Sequence, residues 1–254
     1  MTHAFTSEGA SPRSSRSPRN QTRRAYELVR SLIRSGDLTD AEPLVEDDLV
    51  RMLDLPRTSV REALVLLATE GLVSRQRHVG TRVSGVYYQI PVDDILPNAP
   101  SPGFMVRTID DRHVRSSPTI RQGLGTEAPV VGMIEHIFEH VSSEGSQPLG
   151  VRTAYYRTTY DQPRSWASCP PLAVGFERAF GVALGTVETV VDAVASDAET
   201  ARLLHLEPGS AVLMREQRLH DVNGVVQEYT FSHYRADRVS FPLKHTTVVA
   251  TARP

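Results

Sequence analysis

The sequence predicts an α+β chain in two parts: a small helical module closed by a β-hairpin, then a larger domain on an antiparallel sheet. Three observations carry this reading. Before residue 71, apolar residues recur at helical spacing in three successive stretches, and two strand-like runs around a basic, glycine-containing turn follow them. Residues 85–103 contain four prolines and no periodic pattern, as a connection between domains does. Further on, strand–turn–strand segments alternate with helical ones, and two of those segments resemble each other.

Bulk composition agrees. At 254 residues the chain is long enough for two domains with real cores, and 40% hydrophobic with 23% charged residues is a globular balance. No apolar run nears the ~20 residues of a membrane-spanning helix. The arginine-bearing N-terminus lacks the apolar core of a secretion signal. A cytoplasmic location without membrane association is expected. The single cysteine, Cys169, excludes an internal disulfide framework, and the nine histidines show no metal-ligand spacing, so neither metal nor cofactor is expected. The net charge of −2 hides an asymmetry. Residues 1–24 carry five arginines against one acid, residues 56–84 carry five against two, and the remainder from 85 onward is net acidic. A basic end on an acidic body fits a nucleic-acid-binding module tied to a domain with another duty.

Taken in order, residues 1–20 are rich in Ser, Pro and Arg and read as a disordered arm. A first helix begins at Thr22, with Ala25, Leu28, Val29, Leu32 and Ile33 on one face and Gly36 as its stop. A second runs from about Glu46 to Leu53, its acidic start matched to the positive end of the helix dipole. The turn Asp54-Leu55-Pro56 leads into a third. Pro56 suits a first helical position, Gly71 a left-handed cap, and Val60, Ala63, Leu64, Leu67 and Ala68 form the core-facing stripe between them. Arg57, Ser59 and Arg61 fall largely off that stripe.

Two helices joined by so short a turn make a helix-turn-helix whose second member reads DNA. Arginine can grip a guanine edge or a phosphate, and Ser or Thr can do either more weakly. Arg57, Ser59 and Arg61 are therefore the leading DNA-contact candidates, with Thr58 open between capping and phosphate contact. The segment from Leu72 to Val83 supplies a hairpin wing. Gly80 and Thr81 are expected to shape it and meet the DNA backbone, with His78 at its tip. Arg75 and Arg77 alternate onto one face, read as DNA-facing.

In the larger domain, Leu124–Arg157 and Leu206–Arg235 form a weak repeat. Each begins with Leu and a Pro-containing turn, continues in an alternating strand, crosses a Gly turn and enters a second strand ending Tyr-Arg. Between them, Glu188–Ala195 reads as a strand and Asp197–Leu204 as a helix.

The run from residue 22 to residue 84, with RTSVREAL, then EGL, then a G-T-x-V wing, resembles the winged helix-turn-helix of the GntR family of bacterial repressors. It departs from the family pattern in three places. Leu44-Val45-Glu46-Asp47 stands for Leu-Pro-Ser-Glu, Pro56 for the Ser before the first arginine, and His78 for the first wing glycine. These bear on operator detail. Residues 188–241, with PGSAVL and QEYTFSHYRADRVSF, are similar to the UTRA effector-binding domain of the HutC-type subfamily, whose fold resembles chorismate lyase.

The resemblance implies a homodimeric transcriptional repressor that binds double-stranded DNA at an inverted repeat, with affinity modulated by a small-molecule effector. It divides the chain into an arm (1–20), a DNA-binding domain (21–84), a linker (85–103) and an effector-binding and dimerisation domain (104–254). The effector pocket is expected between the two repeat units. Glu228 and Tyr234 fall where the family places ligand contacts, a carboxylate to accept from hydroxyls and an aromatic face with a polar tip. Arg152, with its fixed fork, is the candidate for an anionic group. It stands where relatives commonly carry Glu, and His136 where they commonly carry Arg. Tyr156 completes the candidate set. Each has a plain alternative as a satisfied sheet residue or core aromatic. Arg235, Asp237 and Arg238 read as a structural ion-pair network.

No catalytic residue is expected. GxSxG, P-loop and strand-borne GxGxxG motifs are absent, and Cys169 lies in a Pro-rich loop without an evident base. Two alternatives stay open: a constitutive DNA-binding regulator whose second domain only dimerises, and a lyase-type enzyme on the shared fold.

Overall fold

The structure, a computed structural model, describes residues 18–76, 80–97, 103–143, 145–158 and 171–244. Arg77, His78, Cys169 and most of the expected arm lie outside them. The chain divides into two units, 1–85 and 86–254.

The first unit is built on three helices, α1 (Pro18–Ser35), α2 (Glu46–Leu53) and α3 (Arg57–Thr69), and a hairpin of β1 (Val73–Gln76) and β2 (Gly80–Val83). Helix α1 starts four residues before the expected Thr22, because Pro18 is pre-set for a first helical turn. It packs on α3 through Ala25, Val29 and Ile33. Leu28, assigned to the same face, is instead exposed at its flank. Thr22 donates to Glu62, and both Tyr26 and Arg30 donate to Glu70, so α1 holds one acid of α3 and the one that follows its last residue.

Helix α3 buries Val60, Ala63, Leu64 and Leu67 as its periodicity requires. Pro56 is the residue before the helix, not its first member. At the other end Gly71, at φ +73°, adopts the left-handed conformation. Its N–H donates to Ala68 O at 3.1 Å and Leu72 N–H to Leu67 O at 3.0 Å, a Schellman motif that satisfies the last carbonyls. The hairpin pairs Val73 with Val83 and Gln76 with Gly80. Leu44 bridges to Thr81 from the other side, its N–H 2.6 Å from Thr81 O.

In the second unit, one motif occurs twice. Strand β4 (Phe104–Arg115), helix α4 (Pro118–Leu124), and strands β5 (Val130–Ser142) and β6 (Gly145–Tyr156) are followed, after helix α5 (Leu172–Phe180), by their counterparts. These are β7 (Leu184–Ala195), α6 (Ala198–Leu204), β8 (Ala211–Asp221) and β9 (Val226–Arg235). The strands form one antiparallel sheet in the order β4-β5-β6-β9-β8-β7, so the two motifs meet at β6 and β9. Both short helices use the same devices. Ser117 and Asp197 cap their N-termini, and Gly125 and His205 turn left-handed at their C-termini.

The Tyr-Arg endings of the repeat have a mechanical reason. Arg157 donates to Leu124 O and Gly125 O, and Arg235 to Leu204 O, so each arginine holds the carbonyl end of its own motif's helix. Each repeat unit is longer than the sequence shows, because β4 with α4 precedes the first as β7 with α6 precedes the second.

Helices α4 and α6 cover one face of the sheet, burying Leu124, Val131 and Tyr229 in one cluster and Leu204, Val212 and Val151 in another. The other face is covered by α5 and by residues 86–96. This is the main departure from expectation, because much of the segment read as a linker belongs to the core. Tyr88, Ile90 and Ile95 are buried. Strand β3 (Tyr88–Gln89) pairs in parallel with β10 (Val239–Ser240). Asp94 Oδ1 accepts from the N–H groups of Ile95, Leu96 and Leu172, tying the strap to the start of α5. The prolines suggested a spacer, but the apolar residues between them had a sheet face to cover. Among the described residues no helix is long and apolar enough to cross a membrane.

Candidate functional site

The candidate residues form two groups, one in each unit. In the first, α3 presents Arg57, Thr58 and Arg61 to solvent near its N-terminus. Arg57 is ion-paired with Asp47 at the start of α2, both side chains more than half exposed. Such a pair is weak and exchangeable, so a phosphate can replace the carboxylate. Arg61 is exposed, and no hydrogen bond or ion pair engages its guanidinium among the described residues. Arg75, from the wing, reaches Arg61 O at 3.5 Å and Glu46 at 3.8 Å, which places it on the side of the helix that carries Arg61.

Two expected contacts are corrected. Ser59 is buried at 3% exposure, because a helix advances 100° per residue and this position turns inward beside Val60. Thr81 is buried as well, since the strand pairs it with Arg75 on one side and Leu44 on the other. Gly80, at φ +94°, opens β2 in a conformation that other residues rarely adopt.

In the second unit the sheet face under the 86–96 strap is unusually polar. Cross-strand register places His136, Arg152, Ser232 and Arg215 in one row over β5, β6, β9 and β8. One rung along the same face come Ala154, Thr230 and Gln217, and beyond those Tyr156 and Glu228. All of these are buried. Arg152 and Glu228 form a buried ion pair. Arg152 also stands 3.4 Å from His136 Nδ1. The guanidinium can only donate, so the imidazole accepts there and carries its proton on Nε2. Burial, with the Arg152 charge second, pushes His136 down from 6.5 to about 3, which keeps the ring neutral.

Tyr234 and Tyr156, both proposed from sequence as ligand contacts, sit as packed aromatics with occupied hydroxyls. Tyr234 lies over Gly150, stacks with Phe138 at 5.5 Å between centroids, and accepts from Arg215 at 2.8 Å. Tyr156 lies over Gly132 and donates to Asp111 at 3.1 Å. The two tyrosines occupy equivalent places in the two motifs, each crossing a strand that carries glycine so the ring can lie flat.

Sequence reasoning missed Arg215, Gln217, Thr230 and Ser232. Arg215 is wholly buried, and its Nη1 donates to Pro91 O at 3.2 Å, Val92 O at 3.4 Å and Asp94 O at 2.5 Å. Gln217 adds a bond to Val92 O at 3.2 Å. Together they fasten the strap to the sheet. Burial lowers the Arg215 pKa, and those carbonyls and Tyr234 hold the charge nonetheless. A signal existed: in β8 these two share parity with Leu213 and Leu219, so strand alternation points them inward. Arg235, Asp237 and Arg238 form the expected ion-pair network, with Arg235 bonded to Asp237 at 3.0 and 2.8 Å. Among the described residues no cluster of three or more His, Cys, Asp or Glu could hold a metal ion.

Comparison with known proteins matches each unit separately. Residues 21–83 match the bacterial regulatory proteins of the gntR family, and residues 172–240 match the UTRA domain. The chain therefore carries a GntR-type DNA-binding module followed by a UTRA domain, the HutC-type architecture. It is a transcriptional regulator with a UTRA effector-binding domain. An HTH-type transcriptional regulator of Rhizobium meliloti (strain 1021), RB1450, is 29% identical over 234 residues, 87% of this chain and 93% of that one. The HTH-type transcriptional repressor NagR of Bacillus subtilis (strain 168) is 24% identical over 225 residues, 85% and 90% of the two chains. In fold, the chain is similar to PhnF from Mycobacterium smegmatis, with a TM-score of 0.54 at 19% identity, covering 88% of this chain and 100% of that one. YydK from Bacillus subtilis gives 0.53 at 17% identity over 89% and 99%.

Proposed function

We propose that this GntR regulator is a repressor that binds an inverted-repeat operator as a homodimer and is controlled by a small effector held against the polar sheet face of its second unit. The observation that carries the reading is the exposed N-terminal face of α3, where Arg57, Thr58 and Arg61 stand beside the wing residue Arg75. Forked donors at the start of a helix with a wing alongside suit a major groove and its flanking phosphates. The repressor role follows the name carried by the NagR relative. The DNA-binding domain is residues 21–84, and the effector domain begins at residue 86, because the strap is part of its core. The effector contacts are Arg152, Glu228 and His136, with Tyr156 and Tyr234 as the walls beside them.

Footprinting on DNA around the gene, at stated salt, tests the DNA half of the reading. Arg57→Ala and Arg61→Ala should each remove the protected inverted repeat while leaving the oligomeric state unchanged in sedimentation. Normal protection by either variant would sink the assignment of α3 as the reading helix.

A further inference from the structure

The polar sheet face holds more hydrogen-bond donors than the folded chain uses. Ser232 stands between Arg152 and Arg215 in one cross-strand row, and Thr230 is its neighbour on the same face of β9. Adjacent strands lie about 4.8 Å apart, so both hydroxyls are within reach of a group seated between the two guanidiniums. Arg215, Thr230 and Ser232 are completely buried, at 0% exposure. Arg215 Nε, Thr230 Oγ1 and Ser232 Oγ nevertheless have no hydrogen-bond partner among the described residues. Buried polar groups are ordinarily paired. Three unsatisfied donors in adjoining positions are what a site for an acceptor-rich group needs.

Charge narrows the class of that group. Two arginines face this floor, and the carboxylate already on Arg152 is Glu228, two residues from Thr230 along the same strand. An oxyanion accepts from guanidinium and hydroxyl alike, whereas a neutral hydroxyl would have to donate as well. We propose that Arg152, Ser232, Thr230 and Arg215 form the seat for the carboxylate or phosphate end of a small effector, and that Glu228 is a resident stand-in which the effector displaces from Arg152. The proposal rests on the reading of this unit as an effector domain. Once displaced, Glu228 is free to accept from hydroxyls on the rest of the same molecule, so the class is a hydroxylated small acid or phosphate ester.

Calorimetric titration of the full-length, DNA-free protein with inorganic phosphate and with acetate tests this, with chloride at equal ionic strength as the control. Glu228→Gln removes the competing charge at nearly constant shape, and it should bind one of the two anions at least tenfold more tightly than the unaltered chain. Tighter binding of phosphate assigns a phosphate end, and tighter binding of acetate a carboxylate. In the Glu228→Gln background, Ser232→Ala should weaken that binding at least tenfold. The proposal is overturned if Glu228→Gln binds neither anion more tightly, or if Ser232→Ala leaves the binding unchanged. Should Glu228→Gln fail to fold, Ser232→Ala alone carries the test. The rise in melting temperature on adding the anion must then be smaller than in the unaltered protein, and an equal rise, or none in either, overturns the proposal. Operator protection is measured on the same samples. Its loss alone would reject the repressor reading and leave the anion result standing.

Discussion

Acidification should weaken the second unit chiefly through His136. Its ring is wholly buried beside the Arg152 guanidinium, and burial with that charge holds it at about 3, against 6.5 for the free side chain. As pH falls through 6.5, the unfolded chain takes up a proton there and the folded chain does not. Stability is therefore full above about 6.5 and is lost progressively as pH falls toward 3. One unit of separation is worth about 1.36 kcal/mol, so between pH ~7.5 and pH ~5 this histidine alone removes about 2 kcal/mol. His233, also lowered by burial, acts in the same direction. The carboxylates held below their usual range, Asp197, Asp221 and Asp237, lose their contribution at more acid pH and leave this window to the histidines. The assay is urea unfolding at the two pH values, followed by near-ultraviolet circular dichroism. All tyrosines except Tyr26 lie at residue 87 or beyond, so the signal reports the second unit. His136→Gln should recover about 2 kcal/mol of the acid-induced loss, whatever its stability at neutral pH. If His136→Gln and the unaltered protein show the same dependence on pH, the buried, neutral state of this ring is wrong.

Three further outcomes follow from the packing. Gly132→Ala places a methyl 1.9 Å from the Tyr156 ring, so it should cost about 1–3 kcal/mol by overpacking, read as a lower thermal midpoint; an unchanged midpoint would mean the ring does not lie on this strand. Arg215→Met leaves the Pro91, Val92 and Asp94 carbonyls without their shared donor. Amide exchange at Ile90 and Leu172 should then accelerate about tenfold or more, and equal protection would show that the strap is held by apolar contacts alone. Arg157→Ala removes the donor to Leu124 O, Gly125 O and Val226 O. It should lower stability by about 1–3 kcal/mol, with exchange in α4 affected before that in α6.

Much of the first unit was legible because its determinants are local. Helical spacing marked α3, Gly71 marked its end, and acidic residues marked the start of α2; none of these depends on a distant partner. The assignment weakened where orientation needed more than a period. By residue type Ser59 joins Arg57 and Arg61 as a DNA-contact candidate, yet its place on the helix turns it into the core beside Val60. Its place in the wing makes Thr81 a candidate for the DNA backbone, but Leu44 closes over it from another part of the chain.

The second unit shows the same division more sharply. From the sequence alone came the repeat, the strand–helix alternation, the family resemblance and the small set His136, Arg152, Tyr156, Glu228 and Tyr234. Periodicity and motif spacing are written along the chain, and a resemblance needs only residues in order. Which residues meet across strands is not written there. Arg152 and Glu228 are far apart in sequence and pair only because β6 and β9 are neighbours at the junction of the two motifs. Arg215 looked like one surface arginine among many until β8 placed it beneath the carbonyls of residues 91–94. The proline-rich stretch read as a spacer became a core strap for the same reason. Local chemistry decides what a segment can form, and only the assembled sheet decides which charges are buried together and what must cover them.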